Sequence, residues 1–442
     1  MQTASLTSPL QAWLPPLPAP LMSTLLAAAL ALSLLLKLWL ANRQVRHVRQ
    51  HRGAVPPAFA DSVPLAAHQK AADYTAANTA FGMLGLATSS ALLIGWTLMG
   101  GLNALNEWVQ DHTLQRFGPM AYQLTLLVAF SLIGGLLDLP LSLYHTFRLE
   151  QRFGFNRTTL PLFFADMAKG LLVGALIGLP IAALILWLMG TAGPMWWLWA
   201  WSAWVGFNLL VMVLYPTVIA PMFNKFEPLQ DELLKGRVEA LMKRCGFAAK
   251  GLFVMDGSRR SAHGNAYFTG IGAAKRVVFF DTLLQRLHPG EVEAVLAHEL
   301  GHFKHRHVLK RMISLFGLSL VGFALLGWLG TQVGFYLGLG VQPNMAAPND
   351  ALALLLFLLV LPVFSFFFTP LAAQLSRRDE FQADAYACAQ SNGQDLGNAL
   401  LKLHEDNAGT LTPDPVYARF YYSHPPASER LAAIERLSPR HA

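Results

Sequence analysis

The residues with the clearest chemical potential form the pentapeptide His298-Glu299-Leu300-Gly301-His302. Side chains four residues apart lie on one face of a helix, so both histidines can bind a single Zn²⁺ ion. Glu299 then lies beside the metal, where its carboxylate can take a proton from zinc-bound water. Such a pentapeptide also arises by chance in roughly one chain in a hundred of this composition, so other features must support it.

The residues around this motif predict the helix that the two histidines require. Pro289 follows His288 as at many helix starts, and the acidic Glu291 and Glu293 suit the positive end of the helix dipole. Apolar residues then recur at helical spacing and predict one buried face: Val292, Val295, Leu296 and Phe303. We therefore expect the motif midway along an amphipathic helix.

A catalytic zinc ion needs a third protein ligand and an open position for water. Glu380 and Asp384 are four residues apart, so one helix face can present both carboxylates. One can bind zinc while the other accepts a hydrogen bond from a ligand histidine. Asp379 competes with Glu380 but has no second carboxylate four residues away, so Glu380 is preferred. Spacing alone leaves open a solvated charged helix at this point.

Three further histidines could contribute to the site. His305 and His307 do not fit the spacing of the motif, and we expect both to mark a polar membrane boundary. His424, held by a Pro-Pro turn, could stabilise the oxyanion of amide hydrolysis, with Arg430 orienting it. From these residues alone, the preferred interpretation of this segment is a turn into a helix capped at Ser428.

The composition is that of a polytopic membrane protein. Hydrophobic residues make up 54% of the chain and charged residues 13%, and the mean hydropathy is +0.39. Apolar stretches near the length needed to cross a bilayer predict about seven transmembrane helices, at 21–40, 81–102, 123–144, 162–189, 196–219, 314–339 and 351–371. Asp166 and Lys169 lie inside one stretch, and we expect them to form an ion pair or to line a cavity.

The charges between these stretches predict the topology. Arg43 and Arg46 follow the first stretch, whereas a cleaved signal peptide carries its charges before the apolar region, so the first helix is expected to be retained. Basic connections fall on one side only, which predicts an external N-terminus and a cytoplasmic active site and C-terminus. The composition favours a bacterial inner membrane; in a eukaryote the endoplasmic reticulum membrane is expected.

The apolar and polar stretches together predict four regions along the chain. Residues 1–224 form a membrane domain with about five transmembrane helices, and residues 225–306 form a small α+β insertion that carries the HExxH helix. Residues 307–375 supply two further transmembrane helices, and residues 376–442 form a helical segment that completes the zinc site. The basic residues cluster between apolar stretches and form no recognisable nucleic-acid module, so no nucleic-acid partner is expected.

Taken together, the motifs resemble those of the type 1 CAAX prenyl proteases, which are integral-membrane zinc metalloproteases. The resemblance extends over most of the chain and rests on segments in a fixed order, at 150–159, 221–229, 265–268, 278–284, 298–302, 376–385 and 423–426. It implies a ring of seven transmembrane helices around a large water-filled chamber with a gluzincin-like zinc site, and peptide or protein substrates that carry a prenyl group.

The resemblance also implies a role for each site residue. His298, His302 and Glu380 correspond to the ligands of one zinc ion per chain, Glu299 to the general base, and Asp384 to the outer partner of a ligand histidine. It implies that His424 and Arg430 lie near the substrate carbonyl. The edge segment that binds substrate corresponds to Asn265, Ala266, Tyr267 and Phe268.

Two alternatives remain at this point. A general membrane quality-control protease would use the same zinc chemistry without recognising a prenyl group. A membrane transporter or scaffold could carry the motif by chance or use it for a regulatory metal, and it would then function without Glu299. The sequence does not indicate the natural substrate or the oligomeric state.

Overall fold

The computed structural model describes residues 15–247, 251–269 and 276–437. Within them, seven helical segments are long and apolar enough to cross a membrane. Their main helices are α1 (Ala19–Gln50), α2 (Leu65–Trp96), α3 (Gly101–Tyr144), α5 (Leu160–Thr191), α6 (Trp196–Leu214), α11 (His307–Leu329) and α13 (Asp350–Ser365). Three short helices lie between them: α4 (Gln151–Phe153), α7 (Ala220–Phe223) and α12 (Val333–Gly338).

The seven long helices form a closed ring. Each contacts the next in the order α1, α2, α3, α5, α6, α11 and α13, and α13 returns to α1. In the segments that contain α2, α3, α5 and α6, at most 11% of the most apolar stretch is buried. Helices in a solid bundle would bury a whole stripe of side chains. These helices therefore do not form a solid bundle, and the expected set of about seven membrane helices is confirmed.

One end of the ring is closed by an apolar core. Helix α13 contacts α3 and α5 as well as its ring neighbours, and α12 packs against α1. Fully buried side chains from several helices meet there, including Leu26, Leu102, Leu126, Leu186, Phe335 and Leu356. Because lipid tails are as apolar as leucine, close van der Waals packing, and not removal from water, stabilises such a core within the membrane. These packed side chains therefore hold the helices together at this end of the ring.

A small α+β unit lies at the other end. Its strands are β1 (Phe226–Pro228), β2 (Leu252–Met255), β3 (Ala266–Thr269) and β4 (Arg276–Phe280), in the spatial order β1-β2-β4-β3. Strands β2 and β4 are parallel, and the other two pairs are antiparallel. Its helices are α8 (Glu232–Arg244), α9 (Asp281–Leu284), α10 (Pro289–Lys304), α14 (Thr369–Gln390), α15 (Gly393–Asp406), α16 (Pro415–Tyr421) and α17 (Ala427–Leu437).

The basic connections lie at the same end as this unit. Phe59 and Val63, which follow α1, pack against Leu411, and Phe155, which follows α3, packs near Ala408. At the opposite end, the backbone N–H of Gln342 donates to the side chain of Asn103. The basic connections between spanning helices therefore lie at the end with the α+β unit, and the connections at Asn103 and Gln342 lie at the opposite end.

Three sequence predictions differ from the structure in detail. The second span begins at Leu65 and ends at Trp96, because the chain turns at Thr97 and Gly100 adopts a left-handed φ of 77°. The predicted stretch 314–339 contains the end of α11 and the separate helix α12. Asp166 does not pair with Lys169. Its carboxylate accepts two hydrogen bonds from Arg260 of the α+β unit, at 2.8 and 3.1 Å.

Candidate metal centre

The site is built where α10 crosses α14. His288 precedes α10, and its backbone N–H donates to Glu291, which caps the helix as predicted. The two helices approach closely at Gly301, where a Cβ atom would lie 2.9 Å from Cα of Ala383. Glycine therefore allows the two histidines of α10 to face the carboxylates of α14.

Three predicted ligands converge at this crossing. Nε2 of His298 and Nε2 of His302 are 3.3 Å apart. The carboxylate of Glu380 lies 3.4 Å from the first nitrogen and 3.5 Å from the second. Among the described residues, these three side chains form the one group whose donor atoms could hold a metal ion.

The spacing fits a tetrahedral zinc ion. Zinc bonds of about 2.0–2.1 Å place neighbouring ligand atoms about 3.3 Å apart in a tetrahedron. One carboxylate oxygen of Glu380, Oε2, is buried and has no hydrogen-bond partner among the described residues. A buried carboxylate oxygen without a hydrogen bond is costly unless a cation lies beside it. The donor set therefore suits a small divalent metal ion.

An aspartate and an arginine fix the orientation of His298. Nδ1 of His298 lies 2.9 Å from Oδ1 of Asp384. Two nitrogens of Arg430 donate hydrogen bonds to the same carboxylate, at 2.8 and 2.5 Å, and Arg430 is buried. A carboxylate that accepts the Nδ1–H of a histidine leaves its Nε2 lone pair free for a metal.

His302 has a different outer partner, His307. Nδ1 of His302 is 3.0 Å from Nδ1 of His307, and Nε2 of His307 is 3.0 Å from Oε1 of Gln382. His307 begins the candidate membrane span of α11, as expected of a residue at a membrane boundary, but only 1% of the residue is exposed, so its surroundings are protein side chains. It is the site residue that the sequence reasoning missed.

The two ligand histidines differ in charge when no metal is bound. Burial opposes the imidazolium of His298, but the carboxylates of Asp384 and Glu380 outweigh it and raise its pKa to about 9. Burial, together with the positive charge on His298, lowers the pKa of His302 to about 4. Metal binding must therefore displace a proton from His298, while His302 is already neutral.

Glu299 lies in the wall of a cavity of about 550 Å³ that opens beside the ligands. Burial raises the pKa of its carboxyl group, with the charge of Glu380 adding to the effect and His298 and Arg430 opposing it. A raised pKa suits a carboxylate that must accept a proton and later return it. Apolar side chains also line this cavity: Phe280, Leu283, Val295, Leu396, Leu400 and Leu403.

His424 and Arg430 both line the same cavity. Nε2 of His424 lies 3.3 Å from Oε1 of Glu380, and 64% of the His424 side chain is exposed. Two nitrogens of Arg430 are occupied by Asp384, and Nη1 lies 3.9 Å from Glu380. His424 can therefore reach a bound substrate directly, whereas Arg430 mainly holds Asp384 in place.

Strand β3 forms one edge of the sheet next to this cavity. It pairs with β4 on one side, and among the described strands none pairs with its other side. Asn265 and Ala266 line the cavity. The carbonyl of Asn265 accepts from the N–H of Phe280, so antiparallel alternation turns the backbone groups of Ala266 and Phe268 to the free edge. An extended peptide could pair there.

The helix crossing itself can be tested. Gly301→Ala is expected to destabilise the protein by about 1–3 kcal/mol, because the new methyl group forces α10 away from α14. It should also weaken metal retention against a chelator. Gly317→Ala in α11 is the control, because a Cβ atom there meets nothing within 4 Å. Equal thermal stability and equal metal retention in the two variants would contradict this role of Gly301.

Two family comparisons cover most of the chain. Residues 44–225 match the family described as the CAAX prenyl protease N-terminal region with five membrane helices. Residues 228–438 match peptidase family M48.

Individual relatives agree with these matches. CAAX prenyl protease 1 of Saccharomyces cerevisiae is 33% identical over 424 residues, which is 91% of this chain and 92% of the relative. The CAAX prenyl protease 1 homolog of Homo sapiens is 34% identical over 368 residues, or 73% of this chain and 76% of the relative. The crystal structure of S. mikatae Ste24p superposes with a TM-score of 0.86 at 30% identity, over 94% of this chain and 99% of that one.

Proposed function

Because the chain belongs to the CAAX prenyl proteases of peptidase family M48 and is a membrane metalloendopeptidase, we propose that it binds one Zn²⁺ ion per chain. His298, His302 and Glu380 are its ligands. The observation that carries this proposal is the spacing of 3.3–3.5 Å between the donor atoms of these three side chains. The transporter or scaffold alternative is not favoured, because the peptidase match includes every residue of the site.

In the proposed reaction, zinc supplies a Lewis acid that polarises the scissile carbonyl and acidifies water. Glu299 takes the proton of the attacking water and delivers it to the leaving amine nitrogen. His424 donates a hydrogen bond to the oxygen that becomes negative during the attack. Asp384 and Arg430 hold His298 in its ligand orientation throughout.

The substrate peptide is proposed to bind as an added strand on the free edge of β3. The outward carbonyl of Ala266 and the outward backbone groups of Phe268 offer hydrogen bonds that do not depend on the side chains of the peptide, whereas the N–H of Ala266 donates to Oδ1 of Asn265. Asn265 and Ala266 share the cavity with Glu299, so a peptide along this edge passes the general base. Tyr267 belongs to the same strand and completes the proposed substrate edge.

The substrate is proposed to be a prenylated peptide or protein. The apolar lining of the catalytic cavity and its attachment to a ring of membrane helices both suit substrates with an apolar part. The alternative is a quality-control protease with the same zinc chemistry and no preference for a lipid.

A matched pair of peptides distinguishes these two substrates. We expect purified protein in detergent to cleave a farnesylated peptide at least about 10-fold more efficiently, in kcat/KM, than its unmodified twin. This ratio corresponds to about 1.4 kcal/mol of transition-state stabilisation by the lipid. A peptide with an alkyl chain of similar length controls for micelle partitioning. Equal kcat/KM for all three peptides would favour the quality-control function.

The active site is proposed to face the cytoplasm, with the N-terminus outside. The connections after α1 and α3 carry basic clusters and pack against the α+β unit, and the positive-inside rule assigns such connections to the cytoplasmic side. The membrane is then the inner membrane in a bacterium, or the endoplasmic reticulum membrane in a eukaryote. The partners are the lipid bilayer and the peptide substrate.

A further inference from the structure

A sharp turn brings His307 back to the metal site. On one continuous helix, residues five apart point about 140° away from each other, so His302 and His307 would not meet. Instead, α10 ends at Lys304 and α11 begins at His307, and Arg306 between them has a left-handed φ of 58°. Non-glycine residues rarely adopt this conformation because it is strained, and residues strained in this way cluster at functional sites.

The surroundings of His307 determine the direction of its hydrogen bonds. Its Nε2 faces Oε1 of Gln382 at 3.0 Å and Oδ1 of Asp379 at 3.5 Å. A carboxylate oxygen can only accept, so Nε2 of His307 carries a hydrogen. In the neutral ring, Nδ1 is then an acceptor, and the bond of 3.0 Å to His302 requires a hydrogen on Nδ1 of His302.

We propose that His307 is a positioning residue: with Asp379 and Gln382 it forms a relay that fixes the tautomer of His302 and directs the Nε2 lone pair of His302 to the metal. The inference rests on the proposed zinc site and goes beyond it by assigning the outer partner of the second histidine. The two ligand histidines are thus oriented differently. His298 donates to the carboxylate of Asp384, which also accepts from Arg430, whereas His302 donates to a ring nitrogen of His307.

The test compares three single variants of the full-length protein in detergent. His307→Leu removes the acceptor, and we expect the affinity for Zn²⁺ to fall roughly 10- to 100-fold, as for other outer partners of metal ligands. His307→Asn keeps an acceptor oxygen near the position of Nδ1 and should restore the affinity to within a few-fold of wild type. His305→Leu is the control, since His305 stacks on His307 but bonds to no ligand among the described residues.

Zinc affinity is measured by competition with a chromophoric chelator, and the Co²⁺-substituted protein reports on tetrahedral coordination by absorption. The melting temperature of the metal-free protein separates positioning from packing, because a residue that only packs would change stability and would not be rescued by asparagine. Wild-type affinity in His307→Leu, or equal losses in His307→Leu and His307→Asn, overturns the relay. A wild-type protein that binds no zinc would instead overturn the proposed function.

A second variant keeps the test decisive if His307→Leu does not fold. Asp379→Leu combined with Gln382→Leu leaves both rings in place and removes the acceptors that hold the hydrogen on Nε2 of His307. The zinc affinity should then fall, by less than in His307→Leu, because His307 can still accept from His302 in one of its two tautomers. An unchanged affinity in this double variant overturns the proposed direction of the relay.

Discussion

Glu299→Gln is expected to retain zinc and to lower peptide cleavage by roughly 10²- to 10⁴-fold, the usual contribution of a general acid–base group. Glutamine has nearly the same shape but cannot take a proton from water. The effect should appear in kcat, with little change in KM, because Glu299 acts on the reacting atoms and not on the peptide edge. Steady-state kinetics and metal content on the same preparation provide the two readouts.

Glu293→Gln is the matched control for this variant. Glu293 lies on the same helix but pairs with Arg237 and Arg244, away from the catalytic cavity. Its activity should remain close to that of the wild type, since surface ion pairs contribute little. If Glu299→Gln cleaves peptide as fast as Glu293→Gln, Glu299 is not the general base.

Glu380→Ala is expected to abolish both zinc binding and cleavage. The loss in zinc affinity should exceed about 100-fold, because removal of an outer partner alone costs roughly 10- to 100-fold. Elemental analysis after dialysis, followed by the cleavage assay, measures both effects. Unlike Glu299→Gln, this variant should lose its metal.

Asp379→Ala distinguishes the two adjacent carboxylates as ligands. Asp379 lies 3.5 Å from His307 and is partly exposed, whereas Glu380 faces both ligand histidines. We expect Asp379→Ala to keep zinc, with at most a loss of several-fold, because Gln382 still accepts from His307. The opposite result, with zinc retained in Glu380→Ala and lost in Asp379→Ala, would assign the third ligand to Asp379.

Much of this architecture could be predicted because its signals are local. Apolar stretches of bilayer length reveal seven spans, since the membrane requires about 20 apolar residues for each. The pairs His298 with His302 and Glu380 with Asp384 follow the helical repeat, so spacing alone suggests which side chains share a face. The β-branched and aromatic residues that make up most of 276–280 favour a strand, and β4 spans these residues.

The features that could not be predicted depend on tertiary contacts. His307 reaches His302 only because Arg306 is left-handed, and an arginine carries no sequence signal for that conformation. The partner of Asp166 is Arg260, which is distant in sequence and belongs to a different unit of the fold. Strand β1 has three residues and exists because β2 offers it a pairing edge, so its own sequence gives no period to detect.

The most direct test of zinc-dependent cleavage is the metal content of purified wild-type protein, measured by elemental analysis before and after chelation. Peptide cleavage is assayed in parallel. We predict about one zinc ion per chain, loss of cleavage when the zinc is removed, and recovery of cleavage when one equivalent of Zn²⁺ is returned. Peptide cleavage that continues at full rate in protein without bound metal would contradict it.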